Sequence, residues 1–130
     1  MLYQIPSGGE YKFVEGIKVK ETGCVMNFAL MRREMFEDIK WDPELKLREH
    51  HDFFLRLKET KWRVFFTPDI EINDAKPKKQ SDEYKALKSR DEFMVKMMKK
   101  NGINAIQYLN GFTLALRDEK IFKEHRKPIV

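Results

Sequence analysis

The chain has 130 residues, 42% of them hydrophobic and 36% charged, which is enough for one modest core. No stretch is apolar enough to span a bilayer, and the opening residues MLYQIPSGGE have neither the basic nor the apolar region of a signal peptide. The net charge of +5 and the pI of about 9.3 suit anionic partners, but the basic residues are spread along the chain and read mainly as solvated faces.

The lone cysteine, Cys24, cannot form an internal disulfide. It reads as a small buried residue in a reducing compartment, so a cytoplasmic location is expected.

Residues 1–10 read as an irregular lead-in with a turn at Ser7-Gly8-Gly9. Partial alternation over residues 11–20 predicts one or two short strands broken at Gly16. Residues 23–31 form an apolar run that fits a buried strand. Met35, Phe36 and Ile39 suit a short helix over 32–39, and Trp41-Asp42-Pro43 then breaks the pattern.

Residues 48–60 give the clearest amphipathic helix. His50, Phe53, Phe54 and Leu57 share one face at i, i+3, i+4 and i+7, and Asp52 can pair with Arg56 at i+4. Residues 62–67 predict a strand ending at Pro68, and Ile70 with Ile72 predicts another. A basic loop at 76–80 precedes Ser81, a plausible N-cap.

The helix begun at Ser81 would reach about Lys100, with Tyr84, Leu87, Met94 and Met98 as its core stripe and Gly102 as its stop. Beyond it, 104–109 reads as continuing helix, 112–116 as a strand, and the basic end as fraying. The expected fold class is α/β (α+β), a small mixed sheet with flanking helices. Residues 1–130 would form a single domain, with a core over 18–100 and an extension over 101–130.

The informative stretch is 23–74. It carries Gly23, Asn27 and the pair Arg32-Arg33, then Trp41-Asp42-Pro43-Glu44-Leu45. Glu49-His50-His51-Asp52-Phe53-Phe54-Leu55-Arg56 follows, then Arg63-Val64-Phe65-Phe66-Thr67-Pro68 and Ile72-Asn73. In this order and spacing the stretch resembles the acceptor-side, C-terminal half of the inverting GT-A glycosyltransferases related to family 2. It is also similar to the animal N-acetylgalactosaminyltransferases that build gangliosides.

The resemblance implies transfer of a sugar from a nucleotide-sugar to a hydroxyl acceptor, a saccharide, with inversion. A general base takes the acceptor's proton as the new bond forms. Glu49 matches the family's Glu, Asp52 its second acid and Arg56 its Arg, while the base position holds His50. Imidazole can accept a proton near neutral pH, and a helix N-terminus disfavours its protonated form. Glu49, His50 and Asp52 are therefore the catalytic candidates. Asn27, Arg33 and Arg56 are the substrate-side candidates, and Arg56 also reads as a structural partner of Asp52 or Glu49. His50 equally fits a hydrogen-bonded core histidine, since it shares a face with Phe53 and Leu57.

Where the family places a metal-completing histidine, this sequence has Asn73-Asp74. These are the candidate ligands for Mn²⁺ or Mg²⁺, with Asp74 the harder donor. The sequence holds no Asp-x-Asp and no Gly-rich phosphate loop, so the metal and the nucleotide-sugar are expected only if a nucleotide-binding half is supplied.

Two other classes stand beside this one. A metal hydrolase built on His50-His51-Asp52 is disfavoured, because adjacent helical residues point about 100° apart. An interaction module that docks a partner chain or a second copy would cover the edges of a half-fold. Nucleic acid is the less favoured partner, as the aromatics fall mainly on apolar faces.

Overall fold

A computed structural model describes residues 10–25, 28–73, 79–108 and 111–127. The class is α+β: the described residues form two three-stranded sheets and four α-helices, and every strand pairing among them is antiparallel.

The first sheet has the order β1-β2-β3, from Lys12–Val14, Ile17–Thr22 and Val64–Phe66. The β1–β2 turn is two residues long, and Glu15 (φ 48°) and Gly16 (φ 84°) both take positive φ. Such turns match the twist of a hairpin and favour glycine at the second position. The strand predicted over 23–31 is not found among the described residues. The chain bends at Gly23, Thr22 Oγ1 donates to the Cys24 carbonyl at 3.1 Å, and Phe28 and Leu30 are exposed. An apolar run that pairs with no strand gains no ladder hydrogen bonds and stays irregular. Residues 70–73 are likewise not a strand, and both Ile70 and Ile72 are exposed.

Helix α1 spans Met35–Asp38, and a 3₁₀ turn follows at Pro43–Leu45. Helix α2 spans Glu49–Leu57, with Glu49 and Asp52 in its first turn and Arg56 in its last, which complements the helix dipole at both ends. Its Phe53, Phe54 and Leu57 are buried with Cys24, Met35 and Ile39 in one core cluster.

The single helix predicted from Ser81 is two, α3 at Asp82–Lys88 and α4 at Glu92–Lys100. Ser81 does cap α3, accepting from the Tyr84 amide at 3.2 Å. The break has two causes. Ser89 Oγ donates to the Ala86 carbonyl at 2.7 Å, competing with the helix ladder. And α3 buries no residue, so nothing holds it in line with α4, whose Met94, Met97 and Met98 are fully buried. Helix α4 closes at Gly102 (φ 64°), where Ile103 N donates to the Met98 carbonyl and Gly102 N to the Lys99 carbonyl, the paired bonds of a Schellman stop.

The second sheet, β4-β5-β6, joins Ala105–Gln107, Phe112–Arg117 and Lys120–His125. Ala105–Gln107 therefore form a strand where helix was predicted over 104–109, of which Leu109 lies outside the described residues, and the basic end is paired rather than frayed through His125. Ile106 and Leu114 pair directly in this sheet and share a core cluster with Leu45 and the three methionines of α4. The C-terminal residues thus complete the core instead of extending from it. Helix α2 joins the two clusters, because Leu55 packs on the second while Phe53 and Phe54 fill the first.

Candidate active site at the start of helix α2

The first turn of α2 displays Glu49, His50, His51 and Asp52. Helical geometry turns His50 and Asp52 about 200° apart, so they serve opposite sides of the helix.

On one side, Asp52 is fully buried and both its oxygens are engaged. Oδ2 accepts from Arg56 Nε at 2.7 Å and from Lys100 Nζ at 3.1 Å, and Oδ1 accepts from Asn101 Nδ2 at 2.9 Å. Lys100 also donates to Asp42 Oδ2 at 2.6 Å, and Arg56 Nη2 donates to the Lys40 carbonyl at 2.7 Å. The Lys100 ammonium holds the Asp42 carboxyl below the usual carboxylate range, helped by the Glu44 amide. Burial works against charge on Lys100, but hydrogen bonds to Asp42 and Asp52 outweigh it and raise its pKa. This network ties α2, the 3₁₀ turn and the end of α4 together. Asp52 and Arg56 are thereby placed as structural partners at the seam between the clusters.

On the other side, His50 Nε2 donates to the Val25 carbonyl at 2.6 Å in the neutral ring, leaving Nδ1 as the acceptor. Cys24 Sγ lies 3.8 Å from the same Nε2. The His50 ring stacks on Trp41 with centroids 6.3 Å apart, and Phe54 meets it edge-on at 5.0 Å. Trp41 is itself stacked on Phe53 at 4.0 Å, and its indole is 39% exposed. The ring is thus held in place, with a half-open aromatic surface beside it.

Three polar atoms here are buried without a hydrogen-bond partner among the described residues: Glu49 Oε2, His50 Nδ1 and His51 Nδ1. Buried polar atoms are nearly always satisfied, so three on consecutive residues mark this turn as unusual. Burial, together with the Arg48 charge, lowers the His51 pKa to about 4, so His51 is neutral at physiological pH. Burial also pushes the Cys24 thiol up to about 11, which keeps it a thiol rather than a nucleophile.

The other sequence candidates lie apart. Arg33 is exposed just before α1, and Asn73 is exposed in irregular chain. Asn27 and Asp74 lie outside the described residues. Among the described residues no group of three or more His, Cys, Asp and Glu side chains is placed to hold a metal ion, so no step is assigned to a metal here. No described helix is long and apolar enough to cross a membrane.

Sequence reasoning missed the Val25 carbonyl, Lys100 and Asn101. A carbonyl 25 residues from its histidine, or a lysine 48 residues from its aspartate, leaves no local pattern. Trp41 sits in the motif that carried the resemblance, but its stacking on His50 and Phe53 shows only in three dimensions.

The chain was compared with protein-family models, curated proteins and solved structures, and none of the three comparisons found a match.

Proposed function

We propose that the chain is the acceptor-side portion of an inverting glycosyltransferase of the GT-A type, in which the start of α2 receives a saccharide hydroxyl. The observation that carries this reading is the unpartnered Nδ1 of His50, whose ring stacks on the half-exposed Trp41. A saccharide supplies what both features lack: a hydroxyl for the nitrogen and an apolar C–H face for the indole.

In this reading His50 is the general base. Its Nε2–H bond to Val25 fixes the tautomer that leaves Nδ1 able to accept a proton. The acceptor oxygen bonds to the anomeric carbon, the bond from that carbon to the nucleotide phosphate breaks, and the hydroxyl proton passes to Nδ1. Glu49 accepts a second hydroxyl of the acceptor and orients it. Asp52 and Arg56 hold the helix in place. The donor half of the reaction needs nucleotide-binding residues that this sequence does not carry, so the chain alone binds acceptor without turning it over.

The test is saccharide binding on a glycan array, comparing the purified chain with Glu49→Gln and His50→Ala. Binding of defined saccharides that both variants abolish supports the reading. Binding to no saccharide by the folded chain would sink it.

A second reading, a docking module that meets a partner chain or a second copy, is favoured by the full exposure of Leu30 next to the exposed Phe28. Light scattering tests the second-copy form of this reading: a monomer that stays dispersed at high concentration rules out self-association.

A further inference from the structure

The outer edge of β6 is a second surface, independent of the start of α2 and of the Leu30 patch. Strands β1, β3 and β4 end their sheets with three residues each. Strand β6 ends the second sheet with six, Lys120–His125, and among the described residues its outer edge pairs with no strand. Arg126 N donates to the Gly111 carbonyl at 2.8 Å, one step beyond the pairing of Phe112 with His125. Backbone bonding alternates along an antiparallel pair, so Lys120, Phe122 and Glu124 bond to β5, and the N–H and C=O of Ile121 and Lys123 point outward. An open edge of this length is a template for another strand.

Side chains alternate as well. Ile121 packs on the second core cluster, so Lys120, Phe122 and Glu124 share the opposite face of the sheet. Phe122 is 43% exposed, with the Arg117 guanidinium 5.7 Å from its ring centroid. Glu124 accepts from Arg117 and, at 3.2 Å, from Arg126 Nη2, one on each oxygen, and each oxygen has a second lone pair. Lys120 is exposed and has no ion pair among the described residues.

A second copy of this chain fits the edge in one register. Antiparallel self-pairing about a two-fold axis sets one residue of β6 against itself. Centring on Phe122 overlaps Lys120–Glu124 with its copy, and centring on Lys123 overlaps Ile121–His125; every other centre overlaps less of the strand. The Lys123 centre sets two ammoniums opposite each other, which is destabilising. The Phe122 centre sets Lys120 against Glu124 of the second copy, twice by symmetry, with ring against ring between the two pairs. It also brings the acidic turn Asp118-Glu119 beside Arg126 and His125 of the second copy.

We propose that β6 pairs with β6 of a second copy of this chain, antiparallel and centred on Phe122, joining two three-stranded sheets into one. Ile121 and Lys123 exchange backbone hydrogen bonds with Lys123 and Ile121 of the second copy. Lysines on an edge ordinarily blunt it, but this register gives Lys120 a carboxylate. One strand pair is smaller than the interface of about 1,200–2,000 Å² that stable complexes bury, so the dimer is weak and forms as concentration rises.

The test is sedimentation equilibrium of the full chain at concentrations into the millimolar range. The expected result is a reversible monomer–dimer equilibrium. Lys120→Glu alone and Glu124→Lys alone each weaken it by at least about tenfold, because each makes both symmetric pairs repulsive. An equal mixture of those two variants restores it, because both pairs of the mixed dimer are again opposite in charge. Phe122→Cys, with its copies about 4.5 Å apart between Cα atoms, forms an intermolecular disulfide when oxidised glutathione takes up the two electrons. Lys120→Cys, with its copies more than about 13 Å apart, does not. A chain that stays monomeric overturns the proposal, as does a dimer that either charge variant leaves unchanged or that the mixture fails to restore. A dimer lost in Leu30→Ser but kept in both charge variants overturns it in favour of the exposed patch at Leu30.

Discussion

Asp52→Ala is the sharpest perturbation of the fold. It removes a fully buried carboxylate and leaves Arg56, Lys100 and the Asn101 amide facing one another. Breaking a buried pair from one side costs about 3–5 kcal/mol. Here Arg56 and Lys100 are 31% and 35% exposed, so water can reach both once the carboxylate is gone, and Lys100 keeps Asp42. The expected loss is therefore at the low end, about 3 kcal/mol, a large share of the ~5–15 kcal/mol that stabilises an ordinary domain. Asp52→Asn keeps an acceptor for Asn101 and should cost roughly half as much. The assay is urea unfolding followed by fluorescence of Trp41 and Trp62, both packed beside α2. At a slope of about 1.5 kcal/mol per molar, the midpoint falls by about 2 M. Lys85→Ala is the control: its pair with Asp82 is exposed and i,i+3, so its loss should cost under about 0.5 kcal/mol. A loss of under about 1 kcal/mol for Asp52→Ala, no larger than a surface pair gives, would refute the seam as a stabilising element.

Three further outcomes are expected. His51 binds a proton near pH 6.5 when unfolded but resists until about pH 4 when folded; its contribution is whole above pH 6.5 and is lost as pH falls towards 4, a difference of up to about 3 kcal/mol. Urea unfolding across that range should show the loss in the native chain and not in His51→Gln. Glu15→Asn relieves a positive φ that asparagine tolerates better, and should raise stability by roughly 0.5–1 kcal/mol, read as a higher melting temperature. Cys24, buried and with its thiol pushed up to about 11, should react with iodoacetamide at pH 8 at least about a hundredfold more slowly than free cysteine, and at the ordinary rate in urea.

The helices of the first half were legible because their burial is local. Phe53, Phe54 and Leu57 repeat at helical spacing and pack as that spacing implies, and Gly16 marked the first hairpin. The run at 23–31 misled because apolar content does not by itself decide strand pairing: the chain bends at Gly23, and Phe28 and Leu30 stay exposed. The break between α3 and α4 depends on what each half buries, which Tyr84 and Leu87 could not show in isolation, since neither is buried. The final strand, β6, is held by its register against β5, and its charged, alternating sequence carries little apolar signal of its own. At the site, Glu49, His50, Asp52 and Arg56 were visible as a helical group. Their division between the two sides of the helix follows from Lys100 and Asn101 on Asp52 and from Val25 on His50, contacts made only through the tertiary fold.

The most direct measurement is a proton–carbon NMR titration of the histidine rings with a saccharide mixture and then with single saccharides. The chain has only His50, His51 and His125, and His125 lies in β6, away from the site, as an internal control. Acceptor binding at the start of α2 predicts that the His50 and His51 resonances move together and saturably, that His125 stays still, and that Glu49→Gln abolishes the shifts. Rings that stay fixed with every saccharide while the chain remains folded, or that move equally in Glu49→Gln, would contradict an acceptor site there.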